Sequence, residues 1–300
     1  MNDAMIKTYQ IPTGYIPRSL SDADIHAMFK KLMRRSEPEA RKLFAHLWHT
    51  QAEGLSDNQV SLMAMTGKVP PEVRSQLLKA YEGAVNDELM PLYKHNAEAL
   101  GEEWATSSKL DLTYKPGSDR LKRWFDDRYA TMPVELTDSQ VDGLSILLTY
   151  GTEINPLPAG AMAARIRGFV GLTRREGQAV VNRMEALRAA GASEGTVARV
   201  AGHYETVLRI ARGQRIARTE ASYAMSKGKR EAIAQAHDAG LISGKLVKRW
   251  SVATSNVCPI CDALDGTYAE IDGEFEGGID NPPAHPHCDC VTTEYELISK

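Results

Sequence analysis

All four cysteines of this 300-residue chain fall in one short stretch near its end: Cys258, Cys261, Cys288 and Cys290. Cys258-Pro259-Ile260-Cys261 has the C-x₂-C spacing that turns two thiolates toward one point. His285-Pro286-His287-Cys288 offers an H-x₂-C turn, and Cys290 follows two residues later. A tetrahedral structural zinc takes four nitrogen or sulfur ligands from two such turns. Six candidates are present. The spacing favours Cys258, Cys261, His285 and Cys288. A four-cysteine site with Cys290 in place of His285 is the alternative, and His287 is the weakest candidate because its neighbours make the better-spaced pair. The 23 residues between Cys261 and His285 exceed a usual finger loop. A redox C-x-x-C is the main rival, but the expected strand-to-helix context is missing. Disulfides require an oxidising compartment. A catalytic zinc keeps an open position, and no general base stands beside the cluster. Asp262 and Asp289 read as solvated loop acids.

The elements that must position these residues change character along the chain. The first half reads as helices. Ser21 opens an N-cap with Asp24 three residues on, and Ile25, Met28, Phe29 and Leu32, then Leu43, Phe44, Leu47 and Trp48, keep helical spacing. Pro38 predicts a break between the two sets. A further helix opens at Pro70-Pro71-Glu72, and Pro91 predicts a kink or an interruption in it. Thr106 to Asp119 reads as irregular, with Leu110, Leu112 and Tyr114 alternating as in a short edge strand. Thr137–Gln140 and Thr173–Glu176 read as capping boxes opening helices. Ser193 caps a helix beyond a Gly191 stop. No proline occurs between Pro158 and Pro259, which fits a set of helices ending at Ala239-Gly240. Beyond Gly244, Leu246-Val247, Trp250–Val252 and Val291–Tyr295 have strand character among glycines, prolines and acids. This end is too short to bury much core and calls for a staple.

The fold class is therefore mainly α, with helical N-terminal and central regions and a small metal-stapled, β-containing C-terminal module. The pattern divides into 1–130, a variable helical region; 131–244, a basic helical core; and 245–300, an acidic knuckle module. No window approaches eighteen apolar residues, so no membrane span is expected. Met1 to Gln10 lacks the features of a secretory signal.

Net charge is only −3, but residues 160–250 carry 17 basic and 7 acidic side chains, while residues 251–300 carry 1 and 10. A block of net +10 followed by one of net −9 points to an anionic partner or to contact between the blocks. Arg209, Arg212, Arg215 and Arg218 spread over one broad side of a helix, with Lys227, Lys229 and Arg230 beyond. These residues are the candidates for contacting a partner or DNA phosphates, the latter without sequence preference.

Several residues together resemble the phage Mu F-like head morphogenesis family, the minor head proteins of tailed phages. They are Arg218-Thr219-Glu220 with Gly228 downstream, Trp250, Thr254, Val257–Cys261, Leu264-Asp265-Gly266, and the run Pro282–Cys290. The resemblance covers roughly residues 135–297. The family pattern reads C-P-x-C, then P-P-x-H-P-x-C-R-C; here Asp289 stands in the arginine position and His287 in the variable one. The resemblance implies a non-enzymatic protein present in few copies, at the portal vertex or capsid interior. It would act in head assembly, DNA packaging or DNA delivery and hold a structural Zn²⁺. The implied partners are the portal protein, the major capsid or scaffolding protein, and phage double-stranded DNA. Its places are the host cytoplasm during assembly and then the virion. Two rivals remain: an F-like carrier module of a toxin or enzyme, for which Glu274-Phe275-Glu276 superficially resembles a transferase motif, and a zinc-dependent DNA-binding protein. The first lacks an accompanying nucleotide-binding segment; the second would need a basic module beside the zinc, and this module is acidic.

Overall fold

A computed structural model describes residues 20–242, 244–252 and 257–297. Thr254 and the N-terminal Met1–Gln10 segment lie outside these residues. Helices α1 (Asp22–Glu53), α2 (Asp57–Thr66) and α3 (Pro71–Ala84) lead through a π turn (Val85–Leu89) into α4 (Met90–Ser107). After an irregular stretch come α5 (Asp119–Thr149), a second π turn (Tyr150–Ile154), α6 (Ala159–Phe169), α7 (Arg174–Ala189) and α8 (Glu194–Asp238). The chain closes with β1 (Lys245–Ser251), α9 (Pro259–Leu264), β2 (Tyr268–Glu270) and β3 (Val291–Leu297). The sheet is antiparallel, in the order β2-β1-β3, with Val247 opposite both Glu270 and Tyr295. No helix among the described residues is long and apolar enough to cross a membrane.

Helix starts that rest on local side-chain chemistry form as expected. Thr173 accepts from the Glu176 backbone N–H while the Glu176 side chain reaches back, closing a capping box on α7. The Ser193 hydroxyl accepts from the Thr196 N–H at the start of α8. Three local expectations fail. Pro38 does not interrupt α1, whose buried face runs on through Phe44 and Trp48; packing outweighs one missing hydrogen bond. Before Pro91 the backbone widens into the π turn, and the Met90 N–H reaches Val85 O. The interruption expected at Pro91 thus takes the form of a π turn that absorbs the missing donor. Thr137 sits inside α5, with its hydroxyl donating to Pro133 O rather than capping. The Leu110–Tyr114 stretch forms no strand.

The chain divides into two compact units. One comprises Pro38–Pro91 and Phe125–Gln214. Its core contains a buried polar relay: Trp48 Nε1 donates to the Tyr81 hydroxyl (2.7 Å), Tyr81 donates to Gln140 (2.6 Å), and Gln140 donates to Gln51 (3.2 Å). Gln140, which sequence pattern assigns to a cap, is instead a core residue. Satisfying each polar group here avoids a desolvation penalty of about 1–3 kcal/mol apiece.

The other unit comprises the described residues of Met1–Glu37, Leu92–Trp124 and Arg215–Lys300. In it α4 and α8 approach until a Cβ at Gly228 would lie 1.8 Å from the Ala97 carbonyl oxygen. Gly228→Ala must force these helices apart. It is expected to cost at least about 2 kcal/mol and to lower the melting temperature by several degrees in calorimetry. Gly83→Ala, a helical position with open space around it, should stabilise by about 0.5–1 kcal/mol.

Candidate metal centre and its charged surroundings

Each cysteine is placed by a tight local structure. Cys258 is the N-cap of α9, and its sulfur accepts from the Cys261 backbone N–H at 3.3 Å. Pro259 occupies the first helical position, where a missing N–H costs nothing. On the other side, the Cys288 N–H bonds to the His285 carbonyl, closing a turn in which His287 takes a left-handed φ of 64°. The two turns meet. His285 Nε2 lies 2.9 Å from Cys258 Sγ and 3.2 Å from Cys261 Sγ, and Cys261 Sγ lies 3.6 Å from Cys288 Sγ. The donors form two overlapping triads that share Cys261: Cys258, Cys261 and His285, and Cys261, Cys288 and Cys290. All four cysteines are free thiols.

These five donors fit a soft divalent cation. Two thiolates on one tetrahedral zinc stand about 3.8 Å apart, from bonds of about 2.3 Å, close to the spacing observed. No carboxylate joins either triad, and neither does His287. Protonation carries the same message. The Cys290 thiol donates to Cys288 and, against burial, holds it at about 5. Burial, with the negative Cys288 beside it, pushes Cys261 up to about 12. Cys290 is also pushed up, by its bond to Cys288 and by burial. A cation at the cluster would draw the thiol protons off. Cys261, Cys288 and Cys290 also belong to the hydrophobic core of the module, with Trp250, Leu264 and Phe275. Trp250 and Phe275 meet edge to face at 5.2 Å. A metal here would be a core component.

The cations expected to face a partner are largely engaged within the chain. In the unit that holds the cluster, the second half of α8 meets the acidic C-terminal segment. Arg218 forms a bidentate pair with Asp289, its Nε donating at 2.9 Å. Asp289 is therefore an ion-pair partner, not the solvated loop acid its sequence context implied. Lys227 and Arg230 both reach Asp280, at 3.1 and 2.6 Å, and Arg230 also reaches Asp272. Lys229 is buried; it pairs with Glu294 at 2.8 Å and donates to the Thr292 carbonyl. The Arg215 charge is felt at His287. Sequence reading missed Lys248, which is fully buried on the central strand. It donates to the Asp280 carbonyl and carboxylate and lies over the Phe275 ring.

In the other unit, Arg212 is buried and donates to Gly171 O and the Ser139 hydroxyl, with its guanidinium 5.3 Å from the Trp48 ring centroid. Arg209 donates to Gly168 O and the Thr206 hydroxyl. Buried Arg212 and Lys229 cannot present charge to a phosphate backbone. Glu274-Phe275-Glu276 forms a tight turn: Phe275 N donates to Ile279 O at 2.8 Å and the ring enters the module core. The arrangement serves packing.

Residues 161–293 match the family model described as Phage Mu protein F like protein. This stretch contains every cluster donor, and the match associates the chain with phage heads. No curated protein and no solved structure matches the chain.

Two outcomes follow from this geometry. Cobalt(II) titration should give thiolate charge-transfer absorption at one equivalent. Cys261→Ser should abolish it, because Cys261 belongs to both triads, while His287→Gly should retain it and relieve about 1 kcal/mol of left-handed strain. Loss of the signal in His287→Gly would make His287 a ligand. The second outcome concerns Asp280. Burial opposes its charge, but the Lys248 hydrogen bond and the charges of Arg230, Lys227 and Lys248 outweigh this and hold it below the usual carboxylate range. Its contribution is therefore complete above an unfolded pKa near 4 and is lost as pH falls below that. Asp280→Asn leaves Lys248 with uncharged acceptors only. It should cost about 1–3 kcal/mol, discounted from a fully buried pair because the carboxylate is 40% exposed. Melting curves between pH 7 and pH 2 should show a smaller acid loss in the variant than in the parent.

Proposed function

With residues 161–293 as an F-like segment, we propose that this protein is a minor component of a phage head. It acts without enzymatic chemistry at the portal vertex or capsid interior, in head assembly, genome packaging or genome delivery. The observation that carries the reading is the coincidence of the family match with the converging donors of its cysteine–histidine motif. The metal is zinc: tetrahedral sulfur and imidazole donors select it over harder cations. Cys258, Cys261, His285 and Cys288 are the ligands, with Cys290 the alternate. A closed four-ligand site holds a shape and activates no water.

The charge pattern supports a protein partner ahead of DNA. Most of the α8 cations are matched by acids or carbonyls of the same chain, so few counterions would be released on meeting a duplex. The portal protein is the first candidate partner, followed by the major capsid or scaffolding protein.

Quantitative mass spectrometry of purified virions and procapsids of the encoding phage tests the reading. The protein is expected in both at a copy number far below that of the major capsid protein; its absence from both would sink the proposal. DNA binding by the purified chain should be weak. A steep salt dependence lost on neutralising α8 residues would restore DNA as the partner.

A further inference from the structure

The unit formed by Pro38–Pro91 and Phe125–Gln214 carries a groove that the head reading does not use. It has a volume of about 610 Å³ and runs between α1 and α8. Its α1 side is Arg41, Lys42, Ala45, Trp48, His49 and Ala52, a stripe at spacings of three and four residues. Thr206, Arg209, Ile210 and Gly213 form the same stripe on α8. From position 41 to position 52 the groove extends about 16 Å, three helical turns.

The floor is apolar and built in place. Trp48 is buried, and its ring sits close against the backbone of Gly171. A Cβ at Gly171, where φ is +88°, would stand 2.7 Å from the indole, and one at Gly213 would stand 3.5 Å from it. The Tyr81 hydroxyl accepts from its Nε1, and Arg212 stacks on it. On the wall Ile210 is 51% exposed. The rim holds Arg41, Lys42 and Arg209, and no acidic residue lines the groove.

We propose that this groove binds an acidic amphipathic helix of a partner protein. Two parallel stripes at helical spacing form a channel for the apolar face of a third helix. The cationic rim then meets acids on that helix's flanks and sets its orientation. A floor already packed in place lowers the cost of ordering on binding, and the half-exposed Ile210 side chain supplies apolar contact on the wall. A nucleic acid would gain from the rim but leave the apolar floor unused. The inference does not depend on the metal centre or on the head role.

The test uses the full chain and labelled synthetic 18-residue peptides in fluorescence anisotropy. One peptide has leucines at spacings of three and four and glutamates elsewhere. A second replaces glutamate with lysine, and a third has the acidic composition with two central prolines. The acidic helix should bind at least tenfold tighter than either control and weaken with added salt. Ile210→Glu should reduce its affinity at least tenfold, while Ile210→Leu keeps it. Circular dichroism and melting temperature should be unchanged in both, since the side chain is half exposed. Equal binding of acidic and basic peptides, no binding, or indifference to Ile210→Glu would overturn the proposal. So would displacement of the peptide by short duplex DNA, or a concentration-dependent dimer lost in Ile210→Glu, which would make a second copy the occupant.

Discussion

A lysine withdrawn from water must have an anion or several acceptors within reach, because an isolated buried charge costs several kcal/mol. Lys229 on α8 and Lys248 on β1 both meet this condition, and both meet it with acids of the C-terminal segment: Glu294 for the first and Asp280 for the second. Arg218, Lys227 and Arg230 continue the pairing along α8. Sliding the segment along the helix would leave two buried ammonium groups without partners. Apolar contact alone tolerates such a shift better. The ion pairs therefore fix position more than they add stability, which matches what buried pairs do best.

That pairing explains why the basic block was only half legible. Composition gives the sums, +10 against −9, and neighbouring blocks of opposite sign can meet each other or meet something else. Charge counting cannot choose, because the choice depends on which α8 face is buried. Lys229 and Arg230 are adjacent in sequence, yet the first is wholly enclosed and the second pairs with Asp272 near the surface. The metal cluster was far more legible. Its two turns are local, set by C-P-x-C and H-x₂-C spacing, so the donors fall into place once the turns meet. Sequence also separated His285 from His287, whose left-handed backbone keeps the turn tight.

The helical misreadings share one physical cause. Pro38 and Thr137-Asp-Ser-Gln140 are both local stop or start signals, each worth about 1–3 kcal/mol. Each lies in a helix whose buried face extends on both sides of it, and the summed burial exceeds the local preference. The signals at Thr173, Ser193 and Gly240 lie where burial ends, and there local chemistry decides. A capping motif is thus informative only when the apolar stripe also stops.

The ion pairs and the metal site also bear on each other through the long loop between their elements. The 23 residues between Cys261 and His285 must be closed before either triad can form, and loop closure costs entropy. Asp280 lies within that loop, with four residues between it and His285. Once Lys248 on β1 and Arg230 on α8 hold Asp280, the free segment shrinks to those four residues. The logarithmic dependence on length makes that worth about 1.5 kcal/mol of preorganisation. The carboxylate that neutralises the buried lysine thus also brings the histidine turn within reach of the C-x₂-C turn. A metal entering afterwards needs to order little beyond its own ligands. In this module the acidic loop that looked too long for a zinc finger is shortened by electrostatics, not by sequence deletion.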